Sequence, residues 1–202
     1  MLKIKLAAAA LASAAALVAV PAAHAADQYY LKVDGIPGTA TAGKTPGAIA
    51  VEDFSLSVEN PVTVLSSSSG GAGAGKAKLE ELKITKAVDE TSPIFFKKMV
   101  TGEPIAGMEL AARAVTGGQV GATSMRWSFQ PVFVTEQEHS GTTGDGVATE
   151  TLTFSYGALQ QSYGTGPKGI GNVITVWNQV TNSQNPIVPE FGNTFSKSRF
   201  LD

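Results

Sequence analysis

Alternation of apolar and polar residues dominates the sequence after residue 25, with clear runs at residues 29–33, 108–114 and 150–156. A period of two puts successive side chains on opposite faces of a strand, so these runs predict half-buried antiparallel strands. Between residues 49 and 58 the apolar positions change parity, which predicts a bend or bulge near Asp53. One longer run is expected to place five side chains on one face: Met125, Trp127, Phe129, Pro131 and Phe133. Pro131 predicts an edge position or a bulge there.

One segment follows a helical period instead. Ser92 can cap free backbone N–H groups, Pro93 suits the first turn of a helix, and Gly102 can end it. The apolar face of this short helix is expected to contain Ile94, Phe95, Met99 and Val100. Seven to nine strands and one helix predict a mainly β protein: a closed or nearly closed antiparallel β-barrel, with the helix plugging or flanking it.

The first 25 residues have the three parts of a cleavable signal peptide. Lys3 and Lys5 are followed by an uncharged apolar run at residues 6–20. That run is shorter than the roughly 20 residues of a membrane-spanning helix. Small residues frame a cleavage site formed by Ala23, Ala25 and Ala26. We therefore expect an exported protein, periplasmic or secreted, that begins at Ala26 and is not inserted in a membrane after cleavage.

Composition excludes several kinds of active site. The chain has no cysteine, so disulfides, thiolate metal sites and cysteine nucleophiles are excluded. After the leader, His139 is the only histidine. A net charge of −2 is not typical of a protein that binds nucleic acid. We expect no catalytic site, no metal and no cofactor.

The remaining chemical motifs are weak. Residues 70–76 have the G-x-x-x-x-G-K spacing of a phosphate-binding loop, but Ala77 stands where a Ser or Thr hydroxyl would hold magnesium. Glu136 and Glu138 are expected on one strand face, with His139 on the opposite face as an exposed loop histidine. A secreted hydrolase that uses carboxylates such as Asp145 or Glu150 remains an alternative, although no paired arrangement is recognisable.

A family resemblance emerges from three segments in order along the chain. They are YYLKVDGIPGTA (residues 29–40), LEELKITKAVDETSP (79–93) and TETLTFSYGALQQSY (149–163). Together they resemble the haemolysin-coregulated proteins (Hcp), the tube subunits of type VI secretion. The resemblance implies a domain at residues 26–180 that forms hexameric rings, which can stack into tubes and hold small protein cargo in the lumen. It also implies that the protein is not an enzyme.

The long loop of that family reaches neighbouring subunits. Carried over, the resemblance places subunit or ring contacts at Val62, Val64, Leu65, Ser66, Gly70, Gly71, Gly73, Gly75 and Lys76. Two features depart from the family: the signal peptide at residues 1–25 and the C-terminal extension at 181–202. We expect either residues 186–201 or the freed N-terminal segment to contact an adjacent subunit. A secreted binding or carrier module that does not form tubes is the second interpretation.

Overall fold

A computed structural model describes residues 27–40, 46–63, 73–116, 119–144, 146–164 and 173–184, and antiparallel strands form most of this described part. The predicted leader and residues 185–202 lie outside these ranges. The single helix of the described residues is α1 (Ser92–Thr101). The strands are β1 (Asp27–Val33), β2 (Ile49–Val51), β3 (Asp53–Ser55), β4 (Val58–Glu59), β5 (Val62–Thr63), β6 (Gly73–Ala74), β7 (Lys78–Leu79), β8 (Leu82–Ala87), β9 (Met108–Thr116), β10 (Gln119–Ser140), β11 (Thr149–Tyr163) and β12 (Val173–Asn178).

The main sheet curls back on itself into a nearly closed barrel. Its strand order is β2-β1-β9-β10-β11-β8-β3, and β12 also pairs with β11. The two ends of this order, β2 and β3, are consecutive in the chain and flank a bend at Glu52. Because β2 pairs with β1 and β3 pairs with β8, the bent segment bridges the two ends of the sheet. The predicted barrel, and the predicted bend near Asp53, are confirmed.

The helix closes the barrel from one side. Its buried Phe95 contacts Phe154 of β11, with ring centroids 5.8 Å apart. Gly102 ends α1 in the left-handed conformation, with φ of 65°, as the sequence predicts. Two details of the prediction were wrong. Ser92 is the first helical residue and does not cap the helix, because its hydroxyl binds another side chain, and Val100 lies on the exposed face of α1.

The face of strands β10 and β11 that points toward the core changes part-way along both strands. Phe129 and Leu159 are core residues and form a register pair. Three positions further along each strand, the core residues are Val132 and Tyr156, although the register between the strands is unbroken. Both strands therefore coil together at this point, and the expectation that Phe133 shares a face with Phe129 was wrong: Phe133 is exposed.

Pro131 lies where a missing backbone N–H disrupts least. Strand β10 pairs with β9 only as far as Phe129, and Pro131 has no partner in the β10–β11 register. The proline thus occupies an effective edge position. The bulge in this strand pair falls further along, between Val134 and Glu136.

Candidate functional site

Two short antiparallel ladders, formed by residues 58–63 and 73–79, extend from the main sheet, and we call them the arm. At its root β4 pairs with β7, and further out β5 pairs with β6. Neither ladder belongs to the main sheet. The arm is the described part of the long loop to which the sequence analysis assigned subunit contacts.

A bulge and a glycine shape the arm. Between the two ladders, two residues of the outgoing strand face three of the returning strand. At this point the Gly75 N–H donates to the Pro61 carbonyl at 2.8 Å. A Cβ at position 75 would lie 2.6 Å from that oxygen. Glycine is required at position 75 for the close approach of the two strands of the arm.

The outer edges of the arm have no strand partner among the described residues. The Glu80 N–H donates to the Ser57 carbonyl at 3.0 Å, so the next register pair, Val58 and Leu79, is not hydrogen-bonded. The N–H of Val58 therefore points away from β7. Its side chain is 48% exposed. A free backbone edge with an exposed β-branched side chain is a surface that can accept another strand.

A groove of about 250 Å³ lies between the arm root and the sheet. Val58 and Leu79 line it from the arm, and Leu159 and Trp177 line it from β11 and β12. The indole N–H of Trp177 is buried and has no hydrogen-bond partner in the described part of the chain. The side chains of Gln161 and Thr175 also line the groove, so it combines apolar walls with groups that can form hydrogen bonds.

The structure places four of the nine predicted contact residues. Val62 lies in β5 and Gly73 in β6, whereas Gly75 and Lys76 follow β6 and are exposed. Lys76 is followed by strand β7 and not by a helix, so the G-x-x-x-x-G-K spacing lacks the strand–loop–helix setting of a phosphate-binding loop. The other predicted contacts lie outside the described residues: Val64, Leu65, Ser66, Gly70 and Gly71. The signal-cleavage residues Ala23, Ala25 and Ala26, and Asp145, also lie outside them.

A row of polar side chains crosses three strands at the end of the barrel near α1. Lys86 of β8, Glu150 of β11 and His139 of β10 occupy directly opposite register positions. The Lys86 Nζ lies 2.7 Å from one Glu150 oxygen, and His139 Nε2 lies 3.2 Å from the other. Lys86 and Glu150 are fully buried, whereas His139 is half exposed. We call these three residues the polar row.

Further hydrogen bonds fix the charge of Glu150. Its two oxygens accept hydrogen bonds from Ser92 at 2.6 Å and from Gln137 at 2.6 Å. Burial alone would raise the pKa of Glu150, but the hydrogen bonds from Lys86, Ser92 and Gln137 outweigh burial and lower the pKa. Glu150 is thus an ionised carboxylate with both oxygens occupied. This arrangement joins the start of α1 to the sheet and leaves no free carboxylate for hydrolysis at this position.

Sequence reasoning missed the polar row, although one signal was present. Lys86 continues the alternation of Leu82 and Ile84, so parity alone places this lysine on the core face of β8. A buried lysine requires a counter-ion, and Glu150 occupies the matching position in β11. The predicted opposite orientations of Glu138 and His139 agree with their register partners, Thr151 and Glu150, but the expectation of a loop histidine was wrong because His139 lies in β10. In the described ranges, no group of three or more His, Asp or Glu residues could hold a metal ion.

Comparison with known proteins identifies the family. The sequence profile of the family described as "Type VI secretion system effector, Hcp" matches residues 30–163, which is more than half of the chain. The chain belongs to the Hcp family. The matched region begins within β1 and ends with β11, so it includes the barrel, the arm and α1. The resemblance found in the sequence is thereby confirmed.

Solved structures show the same fold. A protein described as a type six secretion system protein is 26% identical, with a TM-score of 0.70 over 79% of this chain and 100% of that chain. Hcp1 from Salmonella typhimurium is 22% identical, with a TM-score of 0.65 over 79% of this chain and 99% of that one. A type VI secretion system effector from Yersinia pestis is 17% identical, with a TM-score of 0.60 over 74% and 98%. No curated protein sequence matches the chain.

Proposed function

We propose that this Hcp-family protein is a non-enzymatic structural subunit that assembles with copies of itself into hexameric rings, which can stack into tubes. The observation that carries the proposal is the arm, whose two strands pair only with each other among the described residues. An isolated two-stranded hairpin is marginally stable in water. The arm is therefore stabilised most when a neighbouring copy pairs with its edge or covers its side chains.

The exposed face of the arm supports contact between subunits. Val58 is half exposed, and burying the rest of it against another copy contributes about 1 kcal/mol for each contact. Lys78 and Glu80 form an exposed ion pair at 2.7 Å beside it. Such a pair contributes little to stability by itself, but its fixed charges favour one alignment of a partner over others.

The polar row supports a structural role and not catalysis. Glu150 is the described carboxylate that the hydrolase alternative required, and hydrogen bonds within the fold engage both of its oxygens. A ring lumen that accommodates small protein cargo needs no reactive group. The described residues include no helix long and apolar enough to span a membrane.

Export through the predicted leader completes the proposal. Cleavage before Ala26 would leave the first residue of β1, Asp27, second in the mature chain. Assembly then takes place outside the inner membrane, in the periplasm or beyond the cell. Amino-terminal sequencing of protein recovered from the periplasm and medium tests this step. A mature protein that retains residues 1–25 would contradict it.

Charge on the arm tests the proposed assembly. We expect Val58→Lys to shift the protein from rings toward monomers, because a lysine at the contact cannot be buried without a counter-ion. Val147→Lys is the matched control, since Val147 is also exposed, at 69%, but lies in the loop between β10 and β11. Native mass spectrometry at several protein concentrations measures the fraction of each oligomer. Equal oligomer distributions for the two variants would show that the arm does not contribute to the contact between subunits.

The groove favours a second function, that of a carrier module that does not form tubes. Its apolar walls, with the side chains of Gln161 and Thr175 beside them, could hold a small apolar ligand that has a hydrogen-bonding group. An environment-sensitive naphthalene dye is a suitable probe. Saturable binding by a monomeric protein, abolished by Thr175→Trp, which would fill the groove from an exposed position, and retained in Val147→Lys, would favour the carrier over the ring.

A further inference from the structure

The chain reverses direction directly after β12. Residues 179–182 form a turn in which Asn182 has a positive φ of 53°. The Asn178 side-chain oxygen accepts hydrogen bonds from the N–H groups of Val180 and Thr181. Asn178 and Ser183 then exchange two backbone hydrogen bonds, of 2.8 and 3.2 Å. This exchange is the first rung of an antiparallel hairpin, so the chain beyond Ser183 starts back along the outer edge of β12.

That outer edge carries a row of unshared backbone groups. Among the described strands, β12 pairs only with β11, on one of its two sides. Hydrogen bonding alternates along an antiparallel strand, so the backbone groups of Val176 and Ile174 point the same way as those of Asn178. The side chains of Val173 and Ile174 are 61% and 56% exposed. A recess beside Ile174 and Val176 is also lined by Gln184, the last described residue.

We propose that residues 185–188 continue the hairpin as an additional strand on the outer edge of β12, within the same chain. The Asn178–Ser183 rung sets the register. In this register, two pairs are hydrogen-bonded: Val176–Asn185 and Ile174–Ile187. The two pairs that alternate with them have no hydrogen bonds: Thr175–Pro186 and Val173–Val188.

The sequence of the extension fits this register at each position. Pro186 falls at a position whose N–H would point away from β12, so its missing donor removes no ladder bond. Ile187 and Val188 fall beside Ile174 and Val173, the two exposed apolar residues at the start of β12. Pro189 follows as soon as β12 has no further residues to pair with.

The inference assigns a role to the start of the C-terminal extension. A strand supplied by the same chain would close an edge that could otherwise pair with a second copy. Assembly between copies is then confined to other surfaces, such as the arm. The inference rests on the β12 geometry and does not depend on the ring proposal.

Paired cysteines test the register, because the natural chain contains no cysteine that would compete. In pairs without hydrogen bonds the Cα atoms are about 4.5 Å apart, within the range that disulfides bridge. We expect Thr175→Cys/Pro186→Cys to form an intramolecular disulfide under mild oxidation of the full-length protein. Val173→Cys/Val188→Cys tests the same register and keeps Pro186.

The matched control is Thr175→Cys/Ile187→Cys, whose side chains fall on opposite faces in the proposed register. We expect at least tenfold less oxidation of this control than of the two in-register pairs, measured by peptide mass after proteolysis. Equal oxidation of all three pairs, or none in any, would overturn the proposal. Disulfide-linked dimers on a non-reducing gel would overturn it too, because they would place the extension on another copy.

Discussion

Replacing the two charged partners at the core of the polar row should produce unequal losses of stability. Lys86 keeps acceptors when Glu150 is neutralised, because its Nζ also donates to Asp89 Oδ1 and to the Ala87 carbonyl, each at 2.8 Å. Glu150→Gln also preserves an oxygen that can accept from Lys86 and Ser92. We therefore expect Glu150→Gln to lower the free energy of unfolding by only about 1–2 kcal/mol, the cost of weakened hydrogen bonds.

Lys86→Met should be more destabilising. It leaves the Glu150 carboxylate buried, with hydrogen bonds from Ser92 and Gln137 but without its fully buried cation. Removing one partner of a buried ion pair typically costs about 3–5 kcal/mol. The double variant Lys86→Met/Glu150→Gln should recover part of this loss, because no uncompensated charge remains.

Acid denaturation provides a second measurement of the same row. The folded state lowers the pKa of Glu150, so its ionised form stabilises the fold at pH values above the unfolded pKa of about 4.3. That contribution is lost as the pH falls through the lower folded pKa. Glu150→Gln should therefore lose less stability than the natural protein on acidification. The pKa of Asp89 is lowered too, by hydrogen bonds from Lys86 and Thr91 that outweigh burial, so some acid dependence should remain.

Urea denaturation followed by tryptophan fluorescence gives the free energy of unfolding of each variant. Repeating it at several pH values, at a fixed protein concentration, gives the acid dependence. A fixed concentration is needed because subunit association would add to the apparent stability. The reasoning is refuted if Glu150→Gln is at least as destabilising as Lys86→Met, or if both variants keep the acid dependence of the natural protein.

Further substitutions separate the barrel from the arm. Gly75→Ala would place a Cβ 2.6 Å from the Pro61 oxygen, so native mass spectrometry should show loss of rings, while the thermal midpoint of the barrel stays near that of the natural protein. A matched pair on α1 tests the helix orientation. Phe95→Ala should lower the free energy of unfolding by about 3–5 kcal/mol, whereas Phe96→Ala, at an exposed position, should change it by less than about 0.5 kcal/mol. Similar losses for the two phenylalanine variants would contradict the assigned packing.

The sequence predicted features that local spacing determines. Alternation located the strands, the change of parity near Asp53 located the bend that closes the barrel, and Gly102 marked the end of the helix. Features that depend on several strands at once were not predicted. Phe133 is exposed because β10 and β11 coil together near Pro131, and a period of two in one strand contains no information on that coiling.

The polar row depends on register in the same way. Lys86, Glu150 and His139 are far apart in the sequence and meet only because three strands align them. The long loop was predicted as a contact region from resemblance, but the paired form of its described strands was not. That form depends on the bulge at Gly75, whose close approach to Pro61 becomes visible only in three dimensions.

The central claim is that copies of this protein associate through their exposed arms, without a reactive centre. Electron microscopy of the exported protein, recovered under native conditions and applied to grids at micromolar concentration, tests that claim most directly. The account predicts closed rings with six subunits. A field of single barrels that remain single at the highest attainable concentration would contradict it.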